Sequence, residues 1–360
     1  MKNLMRKKRT TCVKNLLKES TMRLSKNVLL GMLALGLAAA SFTMTAQAKA
    51  VKKISMKNNL NMAPLTPALQ KAISATTPFE GAGSDLTVVR PATRLGLARL
   101  PQGYTSDGTY YYFLNNLASY GSWSNSLRLT RIRYRADGTY SSDYMTLKNF
   151  GHGTTLDCVR KGGVTYLWTG SDYSSSKKGP TTISCFTFQS GKTLKKHSSV
   201  RYKIRISGEN SYGKNVYPAI SPDGKTLCVR ISRGDEVQFQ YYRLYKGWKI
   251  KTSQVLKTFR IDNDFGTFQG FDIRGENLYT VEGSPSRAEC RELGKPYYPI
   301  KIRIYNTRTK KKTTRTIKGA SRLSHREPEG IQVDSKGRIH LLIASHYKDL
   351  YTCANIYRKK

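Results

Sequence analysis

The chain has 360 residues, with 62 Lys+Arg against 23 Asp+Glu and a formal net charge of +39 at pH 7. Hydrophobic residues at 38%, with 29 Gly and 23 Tyr, suffice for a core and exclude a collagen-like or wholly disordered chain. Only one stretch is apolar enough to enter a bilayer, which excludes a polytopic membrane protein.

In chain order, residues 1–27 carry nine Lys/Arg and a single acid, Glu19. The apolar run 28–42 follows, then Ala46-Gln47-Ala48, a small-x-small site. A basic region, an apolar region and an A-x-A site predict a secretory signal over 1–48, cut after Ala48. A retained anchor is the weaker alternative, because the run is short for a span. Met22 offers a second start, for a signal of ordinary size. No Cys stands at the cut, so a lipoprotein is not expected. Cleavage would leave a secreted or wall-associated protein with no transmembrane segment.

Residues 49–84 are polar and weakly patterned and read as a linker or pro-segment; Pro67–Ser74 is their one helical pattern. With nine basic residues and one acid in 1–48, the remaining 49–360 carry +31. A secreted protein so basic is drawn to polyanions: teichoic acids, anionic lipids, acidic glycans, and nucleic acid without specificity. The bland alternative is charge for solubility.

From residue 85 onward the chain repeats. A short strand, a Gly turn and a β-branched or aromatic strand recur around Gly108, Gly162, Gly224, Gly275 and Gly337, spaced 54, 62, 51 and 62 apart. A second hairpin lies between copies, as in Leu127–Tyr134 with its Asp137-Gly138 turn. Alternating apolar residues around such turns predict antiparallel strands. Four strands per 50–60 residues are the arithmetic of a propeller blade. We therefore predict an all-β, five-bladed β-propeller over 85–360. The fifth copy runs out after its third strand, so Asp85–Arg90 is expected to supply the fourth and close the ring. Cys158, Cys185, Cys228, Cys290 and Cys353 have neither disulfide-scaffold nor CxxC spacing and read as small apolar filler, with room for one disulfide.

The first strand of each blade is innermost, and its leading residues ring one channel mouth. Gln102, His152, Gln269 and Glu329 are expected there, with Tyr217 and Arg326 nearby, as a ligand-site candidate. Ordered water is the structural alternative for that ring. The small residue after each leading position is explained by crowding, since five strands converge. No H-E-x-x-H, G-x-S-x-G or phosphate-binding glycine loop is present. Paired carboxylates could be assembled only by folding, for example Glu329 with Asp272, which the sequence does not show to be adjacent. The spacing of His325, His340 and His346 gives no local zinc motif. No catalytic residue, metal or cofactor is expected. Lys195, Lys196, Lys310, Lys311, Lys312 and Arg315 fall in outer hairpins, where they would grip a flexible polyanion from the rim.

Three segments carry a family likeness. Asn215–Gly224, Phe268–Ile273 and His325–Val333 resemble those of helveticin J, a large class III bacteriocin, with 151–155 a looser match. The pattern is also similar to the wider group of teichoic acid biosynthesis protein C-like and phage receptor-binding propellers. The resemblance spans about residues 85–360. It implies five blades, attachment to Gram-positive surfaces through anionic wall polymers or surface glycans, and antibacterial activity in the helveticin branch. It supplies no catalytic residues. A non-lethal wall-binding propeller is the alternative, and a metal-dependent lactonase-like hydrolase using Glu329 a weaker one.

Overall fold

The structure is a computed structural model that describes residues 66–75, 84–95, 100–117, 124–176, 179–195, 199–209, 211–321, 323–347 and 351–360. The expected signal, with Ala46 and Ala48, and Lys196 lie outside the described residues. No helix among the described residues is long and apolar enough to cross a membrane.

A short helix, α1 (Pro67–Ser74), precedes strand β1 (Leu86–Arg94). Blade 1 follows with β2 (Pro101–Ser106), β3 (Tyr111–Asn116), β4 (Leu127–Tyr134) and β5 (Tyr140–Lys148). Blade 2 has β6 (Leu156–Lys161), β7 (Val164–Ser174) and β8 (Gly179–Thr187). The chain then leaves as β9 (Thr193–Lys195), which pairs in parallel with β5 of blade 1, and returns as β10 (Val200–Lys203) on β8. Blade 3 is β11 (Lys214–Ile220), β12 (Thr226–Arg233), β13 (Glu236–Arg243) and β14 (Lys257–Asp262). Blade 4 is β15 (Phe268–Arg274), β16 (Asn277–Glu282), the short helix α2 (Arg287–Glu292), β17 (Lys301–Asn306) and β18 (Lys312–Thr316). Blade 5 has β19 (His325–Val333), β20 (Ile339–Tyr347) and β21 (Tyr351–Lys359).

The fourth strand of blade 5 is β1, antiparallel to β21 from Leu86 opposite Lys359 to Arg94 opposite Cys353. The N-terminal strand thus closes the ring, as the unfinished fifth repeat requires. Two register shifts around Arg90 accommodate Pro91, which has no N–H to give a ladder.

Among the described residues, five hydrophobic clusters make the core, one at each seam between neighbouring blades. Trp168 and Val216 meet between blades 2 and 3, Phe239 and Phe271 between 3 and 4, Ile302 and Ile331 between 4 and 5. Phe113 and Leu342 meet between blades 5 and 1, and Leu114 and Leu167 between 1 and 2. A strand's side chains alternate between its two faces, and here both faces are buried. In β12, Leu227, Val229 and Ile231 pack toward blade 2, while the intervening Cys228 packs toward blade 4.

All five described cysteines are free thiols, and all but the half-buried Cys158 are buried, so they serve as filler. Within the segment read as a linker, α1 docks on blade 1. Gln70 donates from Nε2 to the Tyr140 carbonyl (3.2 Å) and accepts from the Tyr140 amide (3.0 Å), and Ile73 is buried.

Candidate functional site

At one channel mouth the leading residues of the inner strands converge. Crowding there is direct: a Cβ on Gly103 would lie 2.5 Å from the Gly153 carbonyl oxygen. The same mouth holds a carboxylate network. On β19, His325, Glu327 and Glu329 alternate along the strand. His325 and Arg326 both have positive φ (68° and 54°), and the register with β20 shifts between His325 and Glu327 and again between Pro328 and Gly330. These bulges re-aim the side chains at the strand's start.

Gln102 of β2 donates from Nε2 to Glu329 Oε1 at 3.1 Å. Gln269 of β15 donates to Glu327 Oε1 at 3.0 Å and to the Gly283 carbonyl at 3.4 Å. Glu327 Oε2 lies 2.9 Å from His325 Nε2, and Glu289 Oε2, from α2, lies 2.7 Å from His325 Nδ1. The His346 ring meets that of His325 edge-on, centroids 4.9 Å apart.

Burial raises the Glu329 pKa well above the usual carboxylate range. The neighbouring Glu327 charge and a side-chain hydrogen bond with Glu327 raise it further, against the Gln102 bond. Its environment therefore favours the neutral carboxyl over the carboxylate. Burial disfavours a charged His325, but its hydrogen bonds to Glu289 and Glu327 outweigh burial and raise its pKa to about 9. With both ring nitrogens facing carboxylates, His325 is an imidazolium holding two acids together.

The fold thus brings together three expected mouth residues, Gln102, Gln269 and Glu329. His152 is half-buried between Gly151 and Gly153, both with positive φ. Tyr217 is buried on the blade 3 side, its hydroxyl 3.4 Å from Thr154 Oγ1 and its ring stacked on Phe268 at 6.5 Å. Arg230 lies over Phe268, 4.0 Å from the ring centroid. Arg326 turns to the chain leading into its own strand, donating to the carbonyls of Ile317 (3.2 Å) and Gly319 (2.8 Å).

Sequence reasoning missed Glu327 and Glu289. His325-x-Glu327-x-Glu329 spaces three titratable groups at every second position, but it is the bulges between them that bring the groups together, so the spacing alone was only a partial signal. Glu289 comes from α2, in the connection between β16 and β17, where no repeat position marks it.

Farther along the inner strands, Asp272 feels the charge of Asp157 rather than that of Glu329. Asp157 of β6 accepts from the amides of Cys158 (2.7 Å) and of Ile220 on the next blade (2.6 Å). Asp272 of β15 does the same with Ile273 (2.6 Å) and, on the next blade, Val333 (2.5 Å). Gln332 staples blade 5 to blade 1 by accepting from Ser106 N (3.0 Å) and donating to Ser106 O (2.8 Å). Burial raises the Asp157 pKa to about 7 against those amides and Thr105. Burial, and then the Asp157 charge, raise Asp272 well above its usual range.

On the rim, Lys195 is exposed on β9, opposite Lys148. Lys310, Lys311, Lys312 and Arg315 are exposed on β18 and the turn before it. Lys312 lies 3.6 Å from Asp264, and with Lys310 and Arg260 it lines a cleft between the outer strands of blades 3 and 4.

Fold and mouth together define a five-bladed β-propeller with a polar network where its inner strands begin. Residues 117–347 match the phage 5-bladed beta propeller receptor binding platform domain, and the chain belongs to that family. It is 23% identical over 217 residues to the "Putative major teichoic acid biosynthesis protein C" of Bacillus subtilis (strain 168), covering 58% of this chain. The chain spans about half, 46%, of that relative's length. Among solved structures, a thermostable family-43 glycoside hydrolase matches at 10% identity with a TM-score of 0.42, over 77% of this chain and 90% of that one. An endo-arabinase from Bacteroides thetaiotaomicron VPI-5482 matches at 14% identity with a TM-score of 0.41, over 73% and 94%. Likenesses so distant carry no argument about activity.

Proposed function

We propose that this protein is secreted and binds an anionic cell-wall polymer of Gram-positive bacteria, a teichoic acid or a similar surface glycan. The observation that carries the reading is the match of residues 117–347 to a receptor-binding propeller family. The teichoic acid-related relative and the +31 charge of residues 49–360 support the choice of polymer. In this reading the exposed rim lysines capture a flexible polyanion by long-range attraction. The mouth built on Gln102, Gln269, Glu327 and Glu329 confers selectivity through hydrogen bonds to sugar hydroxyls.

The test is sedimentation of the purified chain with Gram-positive cell walls, before and after teichoic acid removal, across a salt series. Binding that needs the polymer and persists beyond about 0.15 M salt, where screening is already short-ranged, supports a specific wall receptor. Polymer-blind binding, or binding lost at modest salt, reduces the charge to a generic adhesive. Killing of the helveticin J kind is a further step, supported by the ordered resemblance of 215–224, 268–273 and 325–333. Growth inhibition of a Gram-positive indicator strain checks it, and no inhibition of any strain leaves a non-lethal wall-binding propeller.

A further inference from the structure

Glu289, His325 and His346 come from three separate elements, α2, β19 and β20, yet each offers a ligand atom within 4.8 Å of the others. Two imidazoles and a carboxylate are the donor set that borderline divalent ions prefer. We propose that this corner of the mouth is a binding site for a divalent transition ion of the zinc class. The inference goes beyond the wall-binding reading and stands without it.

His325 Nδ1 and Glu289 Oε2 already face each other at 2.7 Å, where an ion would replace the proton between them and release it to solvent. His325 Nε2 is bonded to Glu327 Oε2 at 2.9 Å, and the other oxygen of Glu327 is held by Gln269 at 3.0 Å. That is the outer-shell arrangement of metal-bound histidines: one ring nitrogen on the ion, the other donating to an oriented carboxylate. His346 stands beside His325 with ring centroids 4.9 Å apart, on the strand that pairs with β19. Ligand atoms about 2.0 Å from a tetrahedral ion lie about 3.3 Å apart. The present spread closes by rotamer adjustment of the half-buried Glu289 and His346 around the buried His325.

The backbone also favours a fixed imidazole. His325 is 7% exposed, its φ is +68°, and its carbonyl accepts from Ser286 N, the N-cap of α2, at 2.5 Å. That bond ties the Glu289-bearing helix to the His325 strand. Three protein ligands leave one tetrahedral position for water or for an anionic oxygen of a ligand.

The test is calorimetric titration of the chelator-treated full chain with Zn²⁺, repeated with Co²⁺ and read by visible absorption. One ion per chain is expected, with the absorption of tetrahedral cobalt. Glu289→Gln and His346→Ala should each weaken binding about 10-fold or more, and Glu327→Gln, one shell out, about 10- to 100-fold. His340→Asn, whose ring is bonded to Asp334 instead, should change nothing. Circular dichroism of each metal-free variant checks folding, and His346→Gln replaces the alanine variant if that one does not fold. Absence of saturable binding overturns the proposal, as does binding that survives either Glu289→Gln or a folded His346 variant unchanged. Neither result depends on whether the chain binds cell walls.

Discussion

Asp157 and Asp272 show how a buried acid in a narrow channel is both a staple and a liability. Each carboxylate holds the next blade by accepting a backbone amide, and each suffers from burial, Asp272 also from the Asp157 charge. The folded pKa of Asp157, about 7, lies above the unfolded value of about 3.9. The folded chain therefore binds more protons between those values, and stability falls as pH rises through that window. Asp157→Asn should flatten the dependence of the melting temperature on pH between about 4 and 7. It should also lower the plateau, because an amide has one acceptor oxygen for two backbone donors. An unchanged slope in the variant would place the ionisation elsewhere. At the mouth, Gln102, Gln269 and Glu329 were legible because a repeated strand start marks them. Their partners were less so. That Glu329 answers to Glu327 and Asp272 to Asp157 depends on which side chains bulges and seams bring face to face, which repeat spacing does not encode.

At the level of elements, turn glycines and alternating strands were enough to find the blades, because each hairpin is local and each strand is apolar on both faces. Closure was legible by elimination: one repeat lacked a strand, and one strand lacked a repeat. Two elements were not legible in that way. β9 is three residues long and pairs in parallel with a neighbouring blade, a long-range contact with no local pattern. The docking of α1 rests on Gln70, a polar residue whose two bonds to Tyr140 give no hydrophobic signal. The closure strand makes a strong prediction. A chain lacking β1 exposes the outer edge of β21, an open template for pairing with other chains. It should lose cooperative urea unfolding and self-associate on a sizing column, and a peptide spanning 84–95 should restore the monomer. A truncated chain as stable and as monomeric as the parent would mean that the seams alone hold the ring.

Across the whole molecule, the excess of positive charge belongs to residues 49–360, and Lys195, Lys310, Lys311, Lys312 and Arg315 put part of it, exposed, on outer strands and the turn before one of them. Capture and selectivity are therefore separable. Reversing Lys310, Lys311 and Arg315 to Glu should weaken wall binding several-fold at low salt and flatten its salt dependence, since fewer counterions are then displaced. Binding that resists salt should be unaffected by those changes and should fall with Gln269→Ala. If the rim variant instead abolishes salt-resistant binding, the receptor is read at the outer strands.

Closure also fixes a timetable. The amino group of Lys360 reaches the Ser84 carbonyl across 276 positions of sequence. The four antiparallel strands of each of blades 1 to 4 can pair as soon as their own stretch of chain emerges from a ribosome or a translocation channel. The fifth must wait with its earliest strand idle until its last is delivered. Until then the edges of β1 and β20 are unpaired, and β21, which lies between them, is the clasp that ends the exposure.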